Sequence, residues 1–311
     1  MILVSLLLVS IAVLCAAYYV YRVAFYSRKK GQDDIYNIPA GEQYQPHKSD
    51  MLSLIDKIVE REYVDVYTTS FDGLKLHGRY YHVKDGAPLN IGFHGYRATA
   101  LRDFCVGANE SLKRGHNLLL IDQRGQGGSE GHTITMGIKE HRDVLSWVEF
   151  ANEKFGSDTK IILYGVSMGA ASVVMSTALD LPQNVSGVIA DCPYNAPKDI
   201  LLSVAKQDMG ISKKLAYPFI WLAARIFGGF DVNAITCKDA VKNSKIPVLI
   251  LHGEDDRYVP CEMSEEIQHA NEDKVERYTF PLAGHGISFF SDKERYREIT
   301  EEFFERCSKD K

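Results

Sequence analysis

Residues 160–180 read KIILYGVSMGAASVVMSTALD. A β-branched, apolar run gives way to a run of small residues, and Gly165-Val166-Ser167-Met168-Gly169 stands at the join. This order predicts a buried strand, a tight turn and a helix, with G-x-S-x-G at the turn. So tight a turn leaves no room for a side chain two residues either side of the serine, hence the two glycines. Ser167 then stands exposed at a helix N-terminus, where the peptide dipoles favour developing negative charge. The strand before it and the helix after it favour a nucleophile over a serine that only caps a helix.

Outward from this stretch, strand and helix signals alternate. Apolar runs ending in glycine-rich or polar loops occur at Leu89–Phe93, Asn117–Ile121, Lys160–Tyr164, Val185–Ala190, Ile246–Leu251 and Val275–Phe280. Upstream, Glu62–Thr69 and Leu74–His82 flank the turn signal Phe71-Asp72-Gly73 and predict a hairpin. Helical spacing predicts helices over 49–60, 137–155 and 292–307. The alternation implies a mostly parallel, twisted sheet of about eight strands with helices on both faces. Residues 196–243 interrupt the rhythm, and Leu215–Phe230 (LAYPFIWLAARIFGGF) is almost wholly apolar. This predicts a helical insertion above the C-terminal strand edges, read as a lid, with Phe219 and Trp221 as candidate substrate contacts.

A serine hydroxyl is a poor nucleophile until a base takes its proton. His285, between Gly284 and Gly286 in the loop AGHGIS, follows the strand-like run VERYTF and is the candidate base. The base needs an orienting carboxylate. Asp256 is chosen, because Tyr258-Val259-Pro260 would turn the chain back and fix its position; Asp255 and then Asp191 are the alternatives. An oxyanion needs N–H donors, and the backbone amides of Tyr96, after His94-Gly95, and Met168, after the serine, are the candidates. His94 reads as structural.

With these residues in hand the chain resembles the α/β-hydrolase superfamily of serine hydrolases, over roughly residues 60–307. The chain order Ser167, Asp256, His285 is that fold's order. The string from His252 to Pro260 (HGEDDRYVP) resembles the acid loop of serine esterases and of prolyl-oligopeptidase-like and serine-aminopeptidase-like hydrolases, whose triad acid is the carboxylate matching Asp256. The resemblance also implies an architectural role for the loop 122–129 (DQRGQGGS), with Asp122 and Arg124 in polar contacts, and no metal or organic cofactor. The expected activity is hydrolysis of a carboxylic ester or related acyl bond through an acyl-enzyme. The small-molecule substrate would place an apolar acyl group under the lid. The alternatives, in order, are a peptidase of the prolyl-oligopeptidase or aminopeptidase type, an acyltransferase and a non-catalytic binding protein.

Residues 1–21 carry no side-chain charge, and as a helix they cover roughly 30 Å, the thickness of a bilayer's hydrocarbon. Tyr18, Tyr19, Tyr21 and Tyr26 would form an interfacial belt. A cleaved signal peptide, with secretion of the rest, is the rival, but no Lys or Arg precedes the apolar run. The expectation is a transmembrane signal anchor over 1–26, a polar tether over 27–48 and the hydrolase domain over 49–311. Arg22, Arg28, Lys29 and Lys30 on the C-terminal side put that domain in the cytoplasm. The 311 residues, 45% hydrophobic and 25% charged, exclude a disordered or fibrous chain. A net charge of −5 gives no footprint for nucleic acid. Six cysteines without a C-x-x-C pair exclude a disulfide scaffold and a zinc knuckle.

Overall fold

In the computed structural model, which describes residues 2–28 and 34–309, eight strands form one sheet in the order β1-β2-β4-β3-β5-β6-β7-β8. The strands are β1 (Val64–Thr69), β2 (Lys75–Tyr81), β3 (Leu89–Phe93), β4 (Asn117–Asp122), β5 (Ile161–Val166), β6 (Val185–Asp191), β7 (Val248–Gly253) and β8 (Val275–Phe280). β2 runs antiparallel to β1 and to β4, and every other pairing is parallel. The crossing of β3 and β4 and the single reversed β2 define the α/β-hydrolase fold. The predicted runs sit at the predicted places, shifted by one or two residues at their ends. Every residue of β3 and β7 is buried, as a parallel strand covered by helices on both faces requires. The edge strand β1 buries little.

Two apolar layers flank the sheet. One gathers Trp147 and Val148 of the helix Glu140–Phe155 with Val173 and Val174 of the helix Met168–Ser176. The other gathers Phe104 with Phe303 and Phe304 of the C-terminal helix Lys293–Lys309. The loop after β4 is pinned as expected. Arg124 is bidentate to Asp143 at 2.6 Å and reaches Asp72 at 3.0 Å. Burial opposes the charge on Arg124, and Asp143 more than compensates, so its pKa is raised. Asp122 accepts from His77 at 2.7 Å.

The insertion after β6 is helical: Pro197–Met209, Lys213–Leu222, a π-helical stretch Ala223–Gly228 and Cys237–Val241. Pro197 opens the first helix where its missing N–H costs nothing, and Gly210, at φ 66°, closes it.

The N-terminal helix Ile2–Ala24 is long and apolar enough to cross a membrane, and nearly all of its apolar window is uncovered by protein. Its last turns are different. Ala17 and Phe25 are fully buried, Phe25 packs edge-on against Phe230, and the backbone of 25–27 pairs with 132–134. Lys29 and Lys30 of the basic cluster, and residues 31–33 of the expected tether, lie outside the described residues. The described part of that tether does not run free. Ile38 and Tyr44 are buried against the domain in a cluster with Ile55 and Ile287.

Candidate active site

β5 ends in the predicted turn. A Cβ on Gly165 would overlap the backbone of Gly169, and one on Gly169 would overlap the Phe93 carbonyl. The turn forces Ser167 to φ +55°, a conformation L-residues rarely hold. Its amide donates to the Asp191 carbonyl at 2.8 Å. The helix Met168–Ser176 follows directly.

Two loops from distant parts of the chain meet the serine. Ser167 Oγ lies 2.9 Å from His285 Nε2, and His285 Nδ1 lies 2.7 Å from Asp256 Oδ2. Asp256 is buried, whereas Asp255 and Glu254 are exposed. Its Oδ1 accepts from the amides of Tyr258 at 2.9 Å and Val259 at 2.8 Å, so the turn anticipated there does hold the carboxylate. His252 Nε2 reaches the Val259 carbonyl at 3.0 Å and Asp256 Oδ2 at 3.2 Å. Burial would raise the Asp256 pKa, but the two imidazoles outweigh it and hold the group well below the usual carboxylate range. Burial likewise disfavours charge on His285, yet Asp256 outweighs it and the histidine's pKa is raised.

Tyr96 and Met168 both line the cavity in front of Ser167. A Cβ on Gly95 would stand 3.3 Å from the Ser167 Cβ, so the chain approaches the serine here at van der Waals distance. His94 is fully buried and structural, with Nδ1 2.8 Å from the Gly95 carbonyl and Nε2 accepting from the Gln123 amide. The cavity holds about 710 Å³. Phe219 lines it, with Ile200, Leu215 and Ile220 of the insertion. Trp221 does not: it is 38% exposed on the outer side of its helix and is withdrawn as a substrate contact. Because Leu215–Phe230 is apolar on every side, periodicity could not say which aromatic faces inward.

Two features of the site had no signal in the sequence, and a third residue was read only in another role. Tyr44 donates its hydroxyl to the His285 carbonyl at 3.0 Å, and Gln43 Oε1 accepts from the His285 amide at 3.3 Å, so the segment expected to be a tether clamps the histidine loop. The N-terminal helix adds Ala16, Tyr19, Val20, Val23 and Ala24 to the cavity wall. Asp191, weighed only as an alternative acid, lines the cavity with Oδ1 lacking a hydrogen-bond partner, and burial pushes its pKa up to about 7. Cys192 packs behind the site, 3.9 Å from His285 Nε2.

Known proteins resemble this chain in sequence and in fold. Residues 91–226 match the family model described as serine aminopeptidase, S33. The chain is 23% identical over 197 residues to YqkD of Bacillus subtilis, covering 63% of this chain and 65% of that one. It is 26% identical over 223 residues to the lysophosphatidylserine lipase ABHD12 of Danio rerio, covering 68% of this chain and 53% of that one. These matches span about half to two thirds of the relatives' lengths. Among solved structures, the Pyrococcus furiosus esterase Pf2001 superposes with a TM-score of 0.65 at 24% identity, covering 80% of this chain and 93% of that one. The chain has the α/β-hydrolase fold.

Proposed function

We propose that this chain is a serine hydrolase that cleaves a carboxylic ester, or a related acyl bond, through an acyl-enzyme. The observation that carries the reading is the hydrogen-bonded chain Ser167–His285–Asp256 at the wall of an apolar cavity. Asp256 holds His285 with Nδ1–H toward itself, leaving the Nε2 lone pair for the serine proton. Ser167 Oγ attacks the carbonyl, and the backbone amides of Tyr96 and Met168 hold the oxyanion. Each such donor contributes roughly 2.7–4 kcal/mol to the barrier reduction. The alcohol leaves with the proton from His285, and a water activated by the same imidazole releases the acid. The acyl group lies under the insertion 196–243, acting as a lid, against Phe219. The hydrolase domain, 49–311, stands on the cytoplasmic side, since the basic residues follow the apolar helix.

The direct test is p-nitrophenyl ester hydrolysis, acetyl to dodecanoyl, by the full chain in detergent. Ser167→Ala should abolish turnover and fluorophosphonate labelling without unfolding the domain. Unchanged turnover in that variant would end the assignment. A peptidase is the second reading, favoured by the family description and by Asp191 Oδ1, a carboxylate oxygen without a hydrogen-bond partner that could accept from a substrate amine. Ser167-dependent release from aminoacyl nitroanilides, with no ester turnover, would establish it instead.

A further inference from the structure

The N-terminal helix has two halves. Its stretch 2–14, about 20 Å of helix, presents apolar side chains outward, from Ile2 to Leu14. From Ala16 onward one side of the helix meets the domain, while Tyr19 and Val23 stay partly exposed. Ala16, Tyr19, Val20, Val23 and Ala24, which line the cavity, stand at i, i+3, i+4, i+7 and i+8, one face of a helix. The helix packs against the insertion helix Lys213–Leu222 and the π-helical stretch after it, where Tyr18 and Tyr21 meet Phe227.

The helix end is also bound to the loop in front of the serine. Tyr96 donates its hydroxyl to the Ala24 carbonyl at 2.9 Å. Arg97, at φ +51°, donates from its guanidinium to the carbonyls of Val23 at 2.8 Å and Tyr26 at 3.0 Å. The Val23 and Ala24 carbonyls are among those a helix end leaves without partners. Met209 and Leu215 of the insertion line the cavity and are also 54% and 61% exposed. The cavity rim is thus apolar and outward-facing beside a helix whose preceding turns suit hydrocarbon.

We infer that the last turns of the N-terminal helix are a wall of the acyl site, with Tyr19, Val20 and Val23 touching the substrate chain, and that the acyl ester reaching Ser167 is drawn from the bilayer along that face. The inference rests on the assignment of Ser167 as nucleophile. It makes the helix a specificity element as well as an anchor.

The test uses the full chain in lipid nanodiscs and a long-chain alkyl fluorophosphonate carrying a diazirine near the chain's end. Ser167 Oγ displaces fluoride from phosphorus, His285 takes the proton, and photolysis then bonds the chain to whatever it touches. Cross-links within 16–24 are expected. Cross-links confined to other walls, with Ser167 labelled, would overturn the inference and leave the nucleophile standing. Absence of Ser167 labelling would overturn both. In parallel, Val20→Phe should lower the dodecanoyl-to-acetyl ratio of kcat/KM at least tenfold and Val20→Ala should not lower it. Val9→Phe, on the outward-facing stretch, should leave the ratio unchanged. Equal ratios in both Val20 variants and the native chain would also count against the wall.

Discussion

Asp256→Asn separates the geometry of this site from its electrostatics. Asn keeps an oxygen where Oδ1 accepts from the amides of Tyr258 and Val259. It places an NH2 where Oδ2 lies 2.7 Å from His285 Nδ1 and 3.2 Å from His252 Nε2. An NH2 donates, so it selects the His285 tautomer with a bare Nδ1 and a proton on Nε2. That proton faces Ser167 Oγ, 2.9 Å away, and the imidazole no longer accepts from the serine. Wrong-tautomer variants of such triads lose about 10⁴-fold in kcat, about 5 kcal/mol of barrier. His252 adds a stability cost, because its Nε2–H, already given to Val259, offers no acceptor to the second hydrogen of the new NH2. A buried donor without an acceptor costs about 1–3 kcal/mol. The assay is ester hydrolysis with fluorophosphonate labelling rates, beside a thermal melt to show that the variant is folded. A folded Asp256→Asn chain within tenfold of native kcat would refute the reasoning. So would an equal loss in Asp255→Asn, whose side chain is exposed.

Gly169→Ala should cost about 3 kcal/mol or more, or yield no folded protein, because the added methyl overlaps the Phe93 carbonyl; an unchanged urea midpoint would contradict the turn. Phe219→Ala should shift chain-length preference toward longer or bulkier acyl groups, whereas Trp221→Ala should not; the p-nitrophenyl series reads both. As a base His285 must be neutral, and its pKa is raised by Asp256 against burial. Hence kcat/KM should climb with pH through an apparent pKa above the ordinary value of about 6.5, and a limb at or below that value would count against the pairing. Asp191→Asn removes a neighbouring acid that also raises the His285 pKa, so it should move the same limb to lower pH in a full pH profile.

Most of the sheet was legible because its signals are local. Each central strand is a short apolar run that ends in glycine or a polar loop, and each helix repeats its apolar positions. The serine's turn was legible for a related reason: close backbone approach leaves glycine as the residue that fits, and Gly165 and Gly169 mark it directly. His285 carried a weaker mark, its glycine neighbours. Asp256 had only the turn after it, and its burial beside the exposed Asp255 is what separates the two in space. Trp221 failed because composition counts apolar residues but does not orient them. Tyr44 and Gln43 failed because a polar stretch with Pro and Gly reads the same whether it runs through solvent or clamps a loop.

The sequence by itself determined the strand–helix alternation, the serine's turn, the order of the three polar residues and an apolar N-terminal helix long enough to cross a membrane. These depend on residues within a few positions of one another. The tertiary structure decided which acid pairs with His285, which aromatic of the insertion faces inward, and that the N-terminal helix walls the cavity. That helix is apolar all round, so periodicity holds no record of which face meets protein and which stays open; only docking onto the insertion and the loop of Tyr96 and Arg97 separates them.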